Sequence, residues 1–367
     1  MIHEFNELCE RFRDPKSRVE AERKLVEFRK SRDAIEQSIN IIVSKDATGF
    51  ARFQATSLCR DVALERWTRL GVQQQNTIRE HLLKYVVNHF NDLPKFVSKQ
   101  ILHTVASFYK RTWTSLSEED VNAVFAQIQT IMRQNVRCAN AYLQIIVDEF
   151  LASRSSAMGL KLEWHRNVQQ RFSKSGLRRC LEMGMIQIAA IVRRSGGNQN
   201  NIILELDNAD GHVLSSFLKL LTQILSFDFG DSSSSDEFVC PGPDWRDVLL
   251  ERGLITILFR MYYRIRNNPK PRSNLMHACR EAIISMASVR SVRALRISHI
   301  LPTCNEITRI FEHTNTQTPT LEHRYTVRFS FPRMLELHMW VRFSRRPYEY
   351  SELLYVIMHF ETRKLWI

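Results

Sequence analysis

The sequence predicts an all-α fold, an α-solenoid built as a right-handed superhelical stack of antiparallel helix pairs. Three observations carry that expectation. Apolar residues recur with the helical period in segment after segment. The turns between segments are short. At 367 residues the chain is too long for one ordinary core, yet no linker divides it before the last quarter. Units of two helices, each too small to bury its own apolar face, must stack to make one continuous core.

The stretch 49–113 organises the rest. Ala51, Ala55, Leu58 and Val62 recur at steps of four, three and four, while Phe50, Phe53, Leu64 and Trp67 fall on the other side of the same helix. A helix apolar nearly all round expects neighbours on both flanks. A second run follows the turn at Gly71 (Ile78, Leu82, Tyr85, Val86, His89), and a third begins at Pro94 (Val97, Ile101, Val105, Phe108).

Taken in order, a lead-in at 1–16 precedes a first pair, 17–29 with 33–43, joined by a turn at 30–32. The second and third pairs come from the central stretch, the third completed by 118–134, where Ser117 and Asp120 form a capping-box start. A fourth pairs 136–151 with 161–172. A fifth runs from Leu177 to Val192 and takes as partner the helix carrying Leu214, Phe217, Leu221, Ile224 and Leu225. A sixth joins 245–266 with 275–289. First helices thus begin near Ser17, Gly49, Pro94, Val136, Ser175 and Trp245, the spacing of HEAT-type repeats. The expected divisions are 1–16, a solenoid over 17–290, and a divergent tail over 291–367. Loops are expected at 195–201 and 230–243. In the tail Tyr325, Val327, Phe329 and Phe331 alternate with Thr326, Arg328 and Ser330, a strand pattern, and Pro302, Pro319, Pro332 and Pro347 break long helices.

Composition narrows the function. No apolar leader opens the chain and the longest apolar run, 183–192, is too short to span a bilayer, so an intracellular protein without membrane insertion is expected. The seven cysteines are scattered and never form a C-x-x-C pair, which reads as buried thiols. A net charge of +13 raises nucleic-acid binding, but no basic block with interleaved aromatics accompanies it, and the Arg residues read as solvated helix faces.

No catalytic set emerges. Asp228-Phe229-Gly230 spells the magnesium tripeptide of kinases without a glycine-rich loop, strand lysine or catalytic loop. Gly196-Gly197 lacks the lysine of a phosphate loop. His277 with Cys279, and Glu163 with His165, are two-residue sets that read as surface or core histidines rather than a metal site. The run 232–235, with acids beyond it, is a loop open to phosphorylation. The chain reads as a binding protein with no enzyme activity, no metal and no cofactor.

Co-linear motifs then resemble a family. Ala21-Glu22, Phe28-Arg29-Lys30-Ser31, Phe53-Gln54-Ala55 and Lys110-Arg111-Thr112-Trp113 are followed by Gly159-Leu160, Glu163, His165, Asn167 and Phe172, then by Gln223-Ile224-Leu225-Ser226 and Trp245-Arg246 with Leu249-Leu250. Together they resemble the nuclear export receptors of the importin-β superfamily over roughly residues 15–290. The resemblance implies a HEAT solenoid whose second helices line a concave surface and which shuttles between nucleus and cytoplasm. It further implies binding of Ran–GTP through the first repeats, contact with Phe-Gly repeats of the nuclear pore, and protein cargo. The member most resembled is associated with a hypusine-containing translation factor and Smad-type proteins. Members are several times longer, so this chain is expected to supply the N-terminal arch. Under that resemblance the Ran-binding row comprises Asp33, Gln37 and Asn40, then Glu80 and Lys84, then Glu119 and Gln127. The competing expectation is a HEAT-repeat module for nucleic acid or scaffolding, which gains if the Arg residues line one concave stripe.

Overall fold

The computed structural model describes residues 1–152, 159–194, 206–229, 245, 249, 254–266, 268, 273–287, 325–330, 336–342 and 355–361. Thirteen α-helices lie among them: α1 (Ile2–Arg13), α2 (Arg18–Lys30), α3 (Ala34–Val43), α4 (Gly49–Glu65), α5 (Val72–His89), α6 (Lys95–Thr112), α7 (Glu118–Gln134), α8 (Val136–Glu149), α9 (Leu162–Ser175), α10 (Leu177–Arg194), α11 (Asn208–Leu225), α12 (Leu254–Arg266) and α13 (Ser273–Ala287). No described residue between 17 and 289 lies in a strand.

Local chemistry fixes the starts. Thr48, Asn135 and Asp207 each accept from the backbone N–H three residues on, capping α4, α8 and α11. Ser117 and Asp120 close the capping box read from the sequence. The expected lead-in is itself helical: α1 buries Phe5 and Cys9 and packs on α2 and α4. Of the expected helix 245–266, the described part is Leu254–Arg266, with Trp245 and Leu249 buried ahead of it.

Pairing departs from expectation by one helix. The hairpins are α1 with α2, α3 with α4, α5 with α6, α7 with α8, α10 with α11 and α12 with α13. Helices expected as first members, α4, α6 and α8, are therefore second members, whereas the fifth and sixth pairs fall as expected. The reason is α9, which joins no hairpin: it packs on the 3₁₀ turn at Trp113–Ser115 and on α10, and so resets the phase. Since the connections from α2 to α8 are all short, turn length could not reveal the phase. Burial could: α4, apolar all round, sits between α3 and α6.

Helices α4, α6, α8, α11 and α13 pack on one another in succession, while α5, α7, α10 and α12 pack chiefly on their own partners. These are the second helices of their hairpins, the row to which the resemblance assigns the concave surface, and it is called the concave row from here on. Its helices end in a chain of rings. Trp67 stacks on Phe108 at 5.3 Å, Trp113 meets Phe150 and Phe172 edge-on at 4.9 and 5.4 Å, and Phe150 stacks on Phe172 at 4.1 Å. The chain continues through Phe227 and Phe229 to Trp245.

In the tail, β1 (Tyr325–Ser330), β2 (Glu336–Arg342) and β3 (Tyr355–Glu361) form an antiparallel meander in the order β1-β2-β3, with Tyr325 opposite Val341 and Arg342 opposite Tyr355. The alternation at 325–331 marks β1. The expected loops at 195–201 and 230–243 lie outside the described residues, as does the serine run 232–235.

Candidate functional site

A stack of this kind offers a partner the free faces of its concave row. On α4 and α6 that face is built by Phe50, Phe53, Gln54, Ser57 and Asp61 and by Phe96, Lys99, Gln100 and His103, at steps of three and four. Polar side chains tie each helix to the next. Gln100 Nε2 donates to Ser57 Oγ at 3.0 Å, and His103 Nε2 lies 3.0 Å from the Glu149 carboxylate. Gln144 Nε2 donates to the Ser216 carbonyl oxygen at 2.7 Å, and Gln223 Nε2 to that of Gln144 at 3.0 Å. These bonds tie the helices of the row to one another.

The Ran-binding row expected from the sequence lies on other helices than this row. Asp33, Gln37 and Asn40 lie on or at the start of α3, Glu80 and Lys84 on α5, and Glu119 and Gln127 on α7, so all belong to first helices rather than second ones. Asp33, Asn40, Glu80, Lys84 and Glu119 are exposed. Gln127 instead accepts from the Tyr109 hydroxyl on α6 at 3.1 Å. The sequence pattern put that row on α3, α5 and α7 because it set the hairpin phase one helix late. The signal that sets the phase is the breadth of the apolar stripe.

Several cations serve helix ends. Arg66 donates to the carbonyl oxygens of Arg29, Lys30, Ser31 and Arg32, beyond and within the last turn of α2. The Lys110 ammonium, fully buried, caps α8 through the carbonyl oxygens of Glu149 and Leu151, and Arg171 caps the turn at Thr114 and Leu116. Arg178 pairs with Glu182, and Arg194 with Asp210. Arg179 sits over the Phe125 ring at 5.6 Å and 3.8 Å from Glu118. Arg178, Arg179 and Arg194 thus meet carboxylates on α10, α7 and α11.

Beside Lys110 lies a buried histidine. His165 makes an edge contact with Trp164 at 5.0 Å, and neither ring nitrogen has a hydrogen-bond partner. Burial first, then the Lys110 charge, lowers its pKa from 6.5 to about 4, against the opposing pull of Glu149. Burial likewise lowers Lys110 to about 8. His165 is thus a neutral core residue, while His277 is exposed 4.0 Å from Glu281. Cys9, Cys59, Cys138, Cys180 and Cys279 are buried free thiols, all raised by desolvation; Cys240 and Cys304 lie outside the described residues. Asp228 and Phe229 follow the end of α11, with the Phe229 ring against Phe227 and Trp245; Gly230 lies outside the described residues. Among the described residues no three His, Cys, Asp or Glu side chains gather as a metal site, and no helix is long and apolar enough to cross a membrane.

No protein-family model matches the chain. The chain is similar to Exportin-7-A of Xenopus laevis, 22% identical over 313 residues, which is 82% of this chain and 27% of that protein. It is similar also to Exportin-7-B of the same organism, 23% identical over 82% of this chain and 27% of that protein, and to Ran-binding protein 16 of Drosophila melanogaster, 22% identical over 72% and 24%. It spans about a quarter of the length of these relatives. A hairpin stack with a continuous concave row is thus similar over most of its length to exportins and to a Ran-binding protein.

Proposed function

We propose that the chain is an arch of a nuclear export receptor that binds Ran–GTP and protein cargo, shuttles between nucleus and cytoplasm, and passes the pore by contacts with its Phe-Gly repeats. The observation that carries this reading is similarity to exportins across 82% of the chain, together with a concave row running without a break from α4 to α13. The motif string resembles exportin-4, and the long similarity is to exportin-7. The reading therefore rests on what both share, and cargo such as the hypusine-containing translation factor or Smad-type proteins belongs to the exportin-4 version alone. The division into a solenoid over 17–290 and an appended unit over 291–367 is part of the proposal.

The partner face moves with the hairpin phase. The resemblance puts Ran on second helices, and these are α4, α6 and α8; we therefore assign it to the faces carrying Gln54, Gln100 and Gln144. The test is titration with Ran–GTP of the intact chain, of Gln54→Arg with Gln100→Arg, and of Glu80→Lys with Glu119→Lys. Loss in the first variant alone supports this placement. Loss in the second alone returns the site to the first-helix row.

The rival reading, a nucleic-acid or scaffold module, loses support from the charge pattern. Arg66 and Lys110 are occupied by helix-end carbonyls and Arg179 and Arg194 by carboxylates, which takes these four cations out of any stripe that could follow a phosphate backbone.

A further inference from the structure

The concave row opens with an aromatic surface. Phe50 and Phe53 stack on α4 at 6.5 Å, and Phe53 meets Phe96 of α6 at 5.9 Å. Phe50 and Phe53 are half-buried, whereas Phe96 is 50% exposed, the largest of the exposed apolar side chains. The approach is built into the backbone. A Cβ on Gly49 would lie 3.2 Å from Pro94 Cγ and 3.5 Å from Phe96 Cζ, so glycine at the start of α4 is what lets the start of α6 close in.

Cations surround this surface. The Arg13 guanidinium, paired with Glu10 at 3.3 Å, covers Phe50 at 5.5 Å. Lys99 follows Phe96 by one helical turn on the same face, Lys95 precedes it, and Lys45 stands in the turn before α4. None of the three lysines makes an ion pair among the described residues, unlike the Arg residues of α10. The neighbouring turns carry the carboxylates Asp46 and Asp92, fewer than the cations. An exposed ring set among unpaired ammonium groups matches a ligand with apolar side chains between carboxylates.

We propose that the Phe50, Phe53 and Phe96 surface, with Lys95 and Lys99, is a docking site for an acidic peptide segment bearing apolar side chains. The apolar residues lie on Phe53 and Phe96, and the carboxylates reach the lysines of α6. The site goes beyond the GTPase reading and needs no nucleotide. Its occupant is an acidic protein segment, not a membrane or a nucleic acid.

The test is fluorescence anisotropy of a labelled peptide of alternating Leu and Asp, titrated with the full chain. Controls are a Leu/Asn peptide and anionic phospholipid vesicles. The expected result is saturable, salt-weakened binding of the acidic peptide over both controls. Phe96→Ala should weaken it about tenfold, and Lys99→Glu should abolish the preference over the Leu/Asn peptide. Both residues are exposed, so circular dichroism should be unchanged; should Phe96→Ala lose helicity, Lys99→Glu decides. No saturable binding, equal binding of the neutral peptide, preference for vesicles, or unaltered affinity in the folded variants would overturn the proposal. Because the assay contains no GTPase, its failure is separate from failure of the transport reading.

Discussion

The Lys110 ammonium, carried near the end of α6, donates to the main-chain carbonyl oxygen of Glu149, the last residue of α8, and to that of Leu151 at 3.2 Å. One buried cation thus fastens two successive helices of the concave row, at a terminus where unpaired carbonyls gather. Lys110→Ala should destabilise the solenoid by about 2–4 kcal/mol, since it leaves two buried acceptors unsatisfied and a void beneath them. Lys110→Met, which keeps the stem and removes the charge, should cost less. Urea midpoints of the three proteins check the order.

The same residue gives an alkaline signature. Its folded-state pKa of about 8 lies below the ordinary 10.5, so between these values the unfolded chain binds more protons. Stability contributed at Lys110 should therefore rise from pH 8 toward 10.5. That rise should vanish in Lys110→Met, measured by the pH dependence of the urea midpoint.

His165 acts at the acid end. Its folded pKa of about 4 lies below 6.5, so the unfolded chain takes the proton first. The stability linked to it is complete above pH 6.5 and is lost as pH falls toward 4. Both nitrogens being unpartnered, His165→Phe should leave neutral-pH stability unchanged or raised and flatten the acid limb. A steeper acid limb in the variant would contradict the assignment.

Gly176 separates α9 from α10 at the centre of the ring chain. A Cβ there would lie 2.5 Å from Phe172 Cε2 and 3.0 Å from Trp113 Cζ2, within a buried stack that has no room to yield. Gly176→Ala should lower stability by about 1–3 kcal/mol. Thermal unfolding with an unchanged transition would show that the rings can shift.

Much of this was legible in the sequence, and the failures have physical causes. The helical period located α2 through α8 because each buries one stripe, and the all-round apolarity of residues 49–67 identified a helix with neighbours on both sides. The alternation at 325–331 marked β1. The hairpin phase was not legible from turns, since the connections at 30–33, 44–48 and 113–117 are all short, and the unpaired α9 restored the register downstream. The Ran-binding row was drawn from that phase and so fell on α3, α5 and α7. Sequence spacing also gave no sign that Arg66, Lys110 and Arg171 reach the carbonyls of other helices, contacts 34 or more residues away in sequence.

The charge pattern makes its own prediction. A stack whose Arg residues end on carbonyls and carboxylates should bind arbitrary DNA duplex weakly and with a shallow salt dependence. A log–log slope of about −5 or steeper would require several phosphate contacts and would favour the nucleic-acid reading.

The central claim is a partner-binding arch of the export type, and equilibrium titration of the full chain with Ran loaded with GTP or with GDP tests it most directly. The account predicts saturable binding of the GTP form, at least about tenfold tighter than the GDP form, and weakened by Arg at Gln54 and Gln100. Equal affinity for the two nucleotide states, or no binding of either, would contradict it.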